Sequence, residues 1–301
     1  MIIEKPNARL YSKWKYDQEE MFTDRLPTVK PFLHWMGGKR QLLPKIKPYL
    51  PKNLNELKYY EPFIGAGALF FYCQPRTAVI NDMNEQLILS YKVIKEHVDE
   101  LIELLITYRE KDNKDFFYQI REQDKTPETF SKLTDIQKAA RLIYLTKTCF
   151  NGLYKVNSQG CFNTGYGMKC SLNIDDEITL KAVSKYLNRE DVNVRFLNKD
   201  FSIVVQDADK NSFVYFDPPY HNTFVGYTAN RFTEDDQRRL RDEFVNLTNI
   251  GAKCLLSNSD TPFIRELYKD FEINTIEVYR GICSDATKRR KVNEVLVRNW
   301  I

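Results

Sequence analysis

The sequence is poor in the residues that build metal and disulfide sites. Its three histidines, His34, His97 and His221, lie far apart, and its six cysteines, Cys73, Cys149, Cys161, Cys170, Cys254 and Cys283, show no CxxC spacing. Neither a zinc motif nor a disulfide framework can be read from them, so no metal centre is expected. No apolar run approaches the ~20 residues that a membrane span needs. The first thirty residues are polar and charged rather than signal-like. Together these absences point to a reduced, intracellular chain with no membrane association. Charge of a single sign is missing too: 45 Lys and Arg face 41 Asp and Glu, a net of +4, which neither requires nor excludes a polyanionic partner. What is present is apolar material. With 43% hydrophobic and 13% aromatic residues in 301, the chain can bury a core of one large or two modest domains, and disorder over most of its length is not expected.

The distribution of charge says more than its sum. Between Ser131 and Cys170, Lys132, Lys138, Arg141, Lys147, Lys155 and Lys169 face Asp135 alone, and Lys288-Arg289-Arg290-Lys291 forms a second basic cluster. Either could be ordinary solvated surface; two together make a nucleic-acid face worth considering. Residues 1–30 show no sustained period and read as an extension outside the main fold. Beyond them, helices are expected at Gln41 to Leu50, Ala66 to Cys73, Glu234 to Leu247 and Pro262 to Lys269. Strands are expected at Tyr59 to Ile64, Thr77 to Asn81, Val192 to Leu197, Phe213 to Phe216, Lys253 to Leu256, Asn274 to Tyr279 and Val292 to Asn299. From Gln86 to Asn188 the pattern is mainly helical, broken by an Asn, Gly and Tyr-rich stretch from Asn151 to Lys169 that suits a hairpin or ordered loop. Alternating strand and helix on both sides of a helical block predict an α/β sheet with an inserted helical domain.

Two constellations carry chemistry. The first, Glu61-Pro62-Phe63-Ile64-Gly65-Ala66-Gly67-Ala68, is strand, glycine turn, helix. Its glycines let backbone approach a ligand closely, and Asp82, at the end of the next strand, is placed to accept hydrogen bonds from ribose hydroxyls. The pattern suits an adenosine-containing ligand, or simply a tight structural turn. The second is Asp217-Pro218-Pro219-Tyr220 at the exit of an apolar strand. Proline stiffens the backbone, so a carboxylate and a neighbouring carbonyl can be held as paired acceptors for the two hydrogens of an exocyclic amine, while Tyr220 offers a flat face to a planar base. Such a site orients an amine for in-line attack without a covalent enzyme intermediate.

With these residues in place, the chain resembles the Dam-like, α-group, S-adenosylmethionine-dependent DNA adenine-N6 methyltransferases. Phe32-Leu33-His34-Trp35-Met36-Gly37-Gly38-Lys39, the glycine-turn segment and Asp217-Pro218-Pro219-Tyr220 occur in that family's order, and Asn151-Gly152-Leu153, Phe162-Asn163 and Tyr166-Gly167 resemble its DNA-recognition hairpin. The similarity runs from about residue 31 to the C-terminus. The resemblance implies a Rossmann-like methyltransferase sheet, residues 31–90 and 191–301, interrupted by a mainly helical target-recognition domain, residues 91–190. It implies cofactor contacts for Trp35, Lys39, Glu61, Phe63, Gly65, Gly67, Asp82, Asp200, Phe201 and Asp217. Asp200 and Phe201 would bracket the adenine, and Tyr220 would stack on a target base flipped out of double-stranded DNA. Lys147, Lys155 and Lys169 are candidate phosphate contacts, and Asn157 and Gln159 are better typed for base edges. Phe224 to Phe232 is expected to close over the flipped base.

Two departures stand out. His34 lies where many relatives carry Lys, and Gln159 where some relatives that recognise GATC have a basic residue; GATC remains the first expectation for the target. The family is of prokaryotic or phage type. Some members work beside a cognate restriction endonuclease, but no stable protein partner is implied. Three alternatives stay open on the residues alone: a nicotinamide-dinucleotide oxidoreductase, methylation of another planar amine such as cytosine N4 or RNA adenine, and a non-catalytic DNA-binding protein.

Overall fold

A computed structural model of the chain describes residues 26, 29–35, 37–168, 173–222, 232–280 and 290–300. Seven strands form one sheet: β1 (Lys58–Glu61), β2 (Thr77–Asn81), β3 (Asn193–Leu197), β4 (Ser212–Phe216), β5 (Lys253–Ser259), β6 (Glu272–Arg280) and β7 (Arg290–Arg298). Their spatial order is β3-β2-β1-β4-β5-β7-β6. The first five in that order run parallel, and β7 lies antiparallel between β5 and β6. Strand succession reverses direction between β1 and β4. At such a switch point the connections leave to opposite sides and open a crevice beyond the carboxyl ends of the strands.

Both faces of the sheet are covered, and side chains alternate between them. Tyr59, Phe213, Tyr215, Leu255 and Leu296 point into one apolar core, whereas Tyr60, Val214, Phe216, Leu256, Val295 and Val297 point into the other. The second core is roofed by α9 (Phe201–Val204), α10 (Glu234–Asn249) and α11 (Pro262–Leu267). The first is roofed by α2 (Ala68–Cys73) and by helices of the predicted insertion: α3 (Glu85–Glu96), α4 (Val98–Lys111), α5 (Lys114–Arg121), α7 (Asp135–Thr148) and α8 (Glu177–Leu187). The short α6 (Pro127–Ser131) lies between α5 and α7. α7 begins with a reciprocal cap between Thr134 and Gln137, and α10 with the same device between Thr233 and Asp236.

Several boundaries differ from expectation. The helix predicted over 41–50 is three short turns, Lys39–Gln41, α1 (Leu43–Ile46) and Lys47–Tyr49, because Pro44 and Pro48 start new turns and supply no N–H to continue one. β5 extends past Leu256 to Ser259, since β7 pairs with it as far as Ser259 opposite Glu294. Near the expected N-terminal extension, Leu26 exchanges two hydrogen bonds with the Gln74 side chain and Val29 is fully buried, so this part of the segment joins the core. Among the described residues, no helix is long and apolar enough to cross a membrane.

Candidate active site

β1 and β4 end side by side at the switch point, and their exits carry Glu61 and Asp217. Asp217 Oδ1 lies 2.7 Å from Lys39 Nζ and accepts from Ser257 Oγ at 2.8 Å. Lys39 also donates to the Gly37 carbonyl at 2.8 Å, and its ammonium sits 4.6 Å from the Tyr220 ring centre. The Tyr220 hydroxyl donates to Glu294 Oε2 on β7 at 3.0 Å, and Tyr215 shares a hydrogen bond with Ser257 at 3.0 Å. Burial raises the Asp217 carboxyl above its ordinary range despite the opposing pull of Lys39. Glu61, 2% exposed, is pushed well up by burial, against the hydrogen bond that its Oε2 accepts from Tyr59 at 2.6 Å. A buried acidic pocket beside one cation and one aromatic face is well typed to accept the hydrogens of a planar amine.

The glycine turn adjoins this pocket. Gly65 N donates to Asp82 Oδ2 at 3.1 Å and Asn84 N to Asp82 Oδ1 at 2.9 Å, so one carboxylate organises both the turn after β1 and the start of α3. Tyr91 closes the turn from below by donating to the Gly65 carbonyl at 3.0 Å. A side chain at Gly65 would press on Trp35 Cδ1 at 3.0 Å. Gly67 adopts φ +70°, and a Cβ there would stand 2.6 Å from the Tyr91 hydroxyl. Gly67→Ala therefore combines a left-handed strain with a clash and is expected to cost about 1–3 kcal/mol in a denaturant unfolding experiment.

Asp82 is pushed up to about 6 by burial, with its two backbone N–H partners opposing. A ribose contact made by the ionised acid should hold steady above pH 7 and weaken as pH falls through about 6, where protonation turns one acceptor oxygen into a donor. Titrating nucleoside-cofactor affinity calorimetrically against pH reads this. An affinity that strengthens or stays flat down to pH 5 would contradict it.

At the end of β3, Asp200 caps α9 through Ser202 N and pairs with Arg239 at 2.9 Å. The Phe201 ring lies 5.6 Å from Phe63 and 5.0 Å from the Arg239 guanidinium. Lys39, Glu61, Asp217 and Tyr220 thus meet in one cluster, with Trp35, Gly65, Gly67 and Asp82 next to it and Phe63, Asp200 and Phe201 at the neighbouring strand end.

The recognition candidates divide. The stretch 155–163 is a hairpin: Asn163 N donates to Lys155 O, Asn157 N to Cys161 O, and Val156 bridges Phe162. Gln159 is exposed at its tip and Lys155 is half-buried. Asn157 Oδ1 instead accepts from Gln159 N and Cys161 N, which commits that oxygen to shaping the turn. Lys147 departs from the expected surface cation. It is 7% exposed, donates to the carbonyls of Asn173 and Ile174 at 2.8 and 3.2 Å, and burial pushes its ammonium down to about 8. Arg141, counted above in the basic block, is also internal. Lys169, Lys288 and Arg289 lie outside the described residues, as does the segment after Tyr220 except for Asn222 and Phe232 at its ends, His221 preceding them.

Sequence reasoning passed over Ser257, Glu294, Gln237 and Asn258. Each touches the Asp217–His221 segment from a distant element, and only the run Ser257-Asn258-Ser259 at a strand end could have hinted at it.

Comparison with known proteins identifies the family. The family model described as D12 class N6 adenine-specific DNA methyltransferase matches residues 35–282. Type II methyltransferase M1.LlaDCHI of Lactococcus lactis subsp. cremoris is 40% identical over 277 residues, covering 90% of this chain and 96% of its own. Type II methyltransferase M.MjaIII of Methanocaldococcus jannaschii is 42% identical, over 90% and 99% of the two chains. The DNA adenine methylase of Haemophilus influenzae is 32% identical, over 89% and 92%. A dinucleotide oxidoreductase is thereby set aside, and the match extends through the acidic pocket, the glycine turn and the hairpin alike: this chain belongs to the D12 class of N6 adenine-specific DNA methyltransferases.

Proposed function

We propose that the protein transfers a methyl group from S-adenosylmethionine to N6 of an adenine flipped out of double-stranded DNA, with Asp217 as the residue that grips the amine. The observation that carries this reading is a desolvated carboxylate beside an aromatic face at the switch point, next to a glycine turn braced by a second acid. S-adenosylmethionine, when bound, supplies a methyl group on a positively charged sulfur. The residues fit such a compound. Asp82 retains lone pairs for ribose hydroxyls beyond the two N–H groups that it accepts, and Phe63 and Phe201 give the base an apolar wall.

The chain's own part is positioning and electrostatics. Asp217 accepts one amine hydrogen and the Pro218 carbonyl the other, so the nitrogen lone pair faces away from the notch. Tyr220 lies against the base, its hydroxyl anchored on Glu294. The raised affinity of Asp217 for protons suits it to take up the proton that N6 sheds. Lys39 balances the charge of Asp217. The exposed hairpin tip at Ser158 and Gln159 reads base edges, with Lys155 near the phosphates. The decisive experiment supplies random-sequence duplex DNA and labelled S-adenosylmethionine, then sequences for modified adenines. Label at N6 within one short sequence supports the reading; cofactor binding without label on any DNA overturns it.

A further inference from the structure

We propose that Gln237 and Asn258 are positioning residues for methyl transfer, acting as a directed hydrogen-bond chain that clamps the backbone of the Pro219–His221 turn and leaves the Pro218 carbonyl facing the amine. The inference rests on the role assigned above to Asp217 and its neighbouring carbonyl.

The chain runs in one direction. His221 N and Ser259 N donate to Asn258 Oδ1 at 3.1 and 2.8 Å. With that oxygen occupied by two N–H groups, the amide nitrogen of Asn258 must face the other way, and it donates to Gln237 Oε1 at 3.1 Å. Gln237 is then forced to present its own Nε2, which donates to the Pro219 carbonyl at 2.9 Å. Ser259 Oγ closes a second loop on the His221 carbonyl at 2.6 Å. Gln237 and Asn258 are 1% and 0% exposed, so water cannot substitute for a lost partner without a desolvation cost. α10 and β5 thus hold both ends of a three-residue turn. The Pro219 carbonyl is taken from behind, whereas no described residue donates to the carbonyl of Pro218. Its freedom is the acceptor that the amine needs.

Gln237→Glu and Asn258→Asp test the chain without changing shape. In the first, assayed above the pH at which the buried carboxyl ionises, the carboxylate still accepts from Asn258 but has no hydrogen for Pro219. In the second, the chain loses the donor that sets the polarity of Gln237. Each is expected to lower the single-turnover methylation rate about 10²-fold at saturating cofactor and DNA, the scale of a small misplacement at a reacting centre. Dissociation constants for S-adenosylmethionine and duplex should stay within about threefold, because the loss falls on the rate and not on binding. Should either variant fail to fold, Gln237→Met keeps the volume, removes the polarity and reads the same quantity.

A rate unchanged in folded variants overturns the inference, as does a loss fully recovered by saturating both ligands. Asp217→Ala run in parallel separates the two levels. If it abolishes transfer while the Gln237 and Asn258 variants do not, only the positioning role fails. If Asp217→Ala is itself as active as the unmodified enzyme, the assignment of the site fails.

Discussion

Replacing Asp217 with alanine is expected to lower the rate of methyl transfer by about 10³-fold at saturating cofactor and DNA, the order seen when a preorganised electrostatic partner is removed. The carboxylate does three things that no neighbour can take over. It accepts from Ser257 and Lys39, its burial raises the carboxyl above its ordinary range, and it lies at the exit of the strand beside the glycine turn. Truncation also takes from the Lys39 ammonium, 7% exposed, its ion-pair partner, leaving it, among the described residues, the Gly37 carbonyl, the Tyr220 face and the charge of nearby Glu61. Asp217→Asn keeps one acceptor oxygen and the shape and should fall by less. Single-turnover kinetics on a methylatable duplex distinguishes the two; equal, near-complete activity in both would remove Asp217 from the chemistry.

The second large effect is expected far from the chemistry. Arg141, 1% exposed, pairs with Asp124 at 2.8 Å and donates to the carbonyls of Ile120 and Arg121 and to Gln86 Oε1. Asp124 in turn accepts from Phe162 N in the hairpin at 2.8 Å. Breaking a buried pair by deleting one member leaves the other charge without compensation, so Arg141→Ala should cost about 3–5 kcal/mol of folding stability. The hairpin is tethered through the stranded carboxylate, so duplex affinity should suffer more than cofactor affinity. Denaturant unfolding and a pair of binding titrations check both statements. The double variant Arg141→Leu/Asp124→Asn should regain part of the stability, because neither buried charge remains; no recovery would mean that the cost lies in packing instead.

What could be read from the sequence was whatever is local. Asp217-Pro218-Pro219-Tyr220 is contiguous, and the apolar run before it announces a buried parallel strand. The glycine turn and Asp82 are joined by one short helix, so their proximity follows from a strand-helix-strand unit. Long-range placement was not legible. Lys147 and Arg141 look like surface cations because the carbonyls that swallow them belong to Asn173, Ile174, Ile120 and Arg121, outside any local pattern. Gln237 reads as one polar position on an amphipathic helix, and only the packing of α10 over β5 shows that it faces inward to Asn258. The extra length of β5 was hidden for the same reason: Ser257, Asn258 and Ser259 are poor strand formers, kept in register by β7 from the far end of the chain.

One contact bears on how such enzymes can be re-engineered. Trp35 lies against the Gly65 turn on one side, and on the other its ring stacks with Tyr154, at the foot of the hairpin, with centres 4.7 Å apart and planes 27° from parallel. The hairpin and the glycine turn therefore share a wall. A chimera that imports another relative's hairpin must bring a flat partner for that indole, or the transplanted loop will loosen the glycine turn packed behind it.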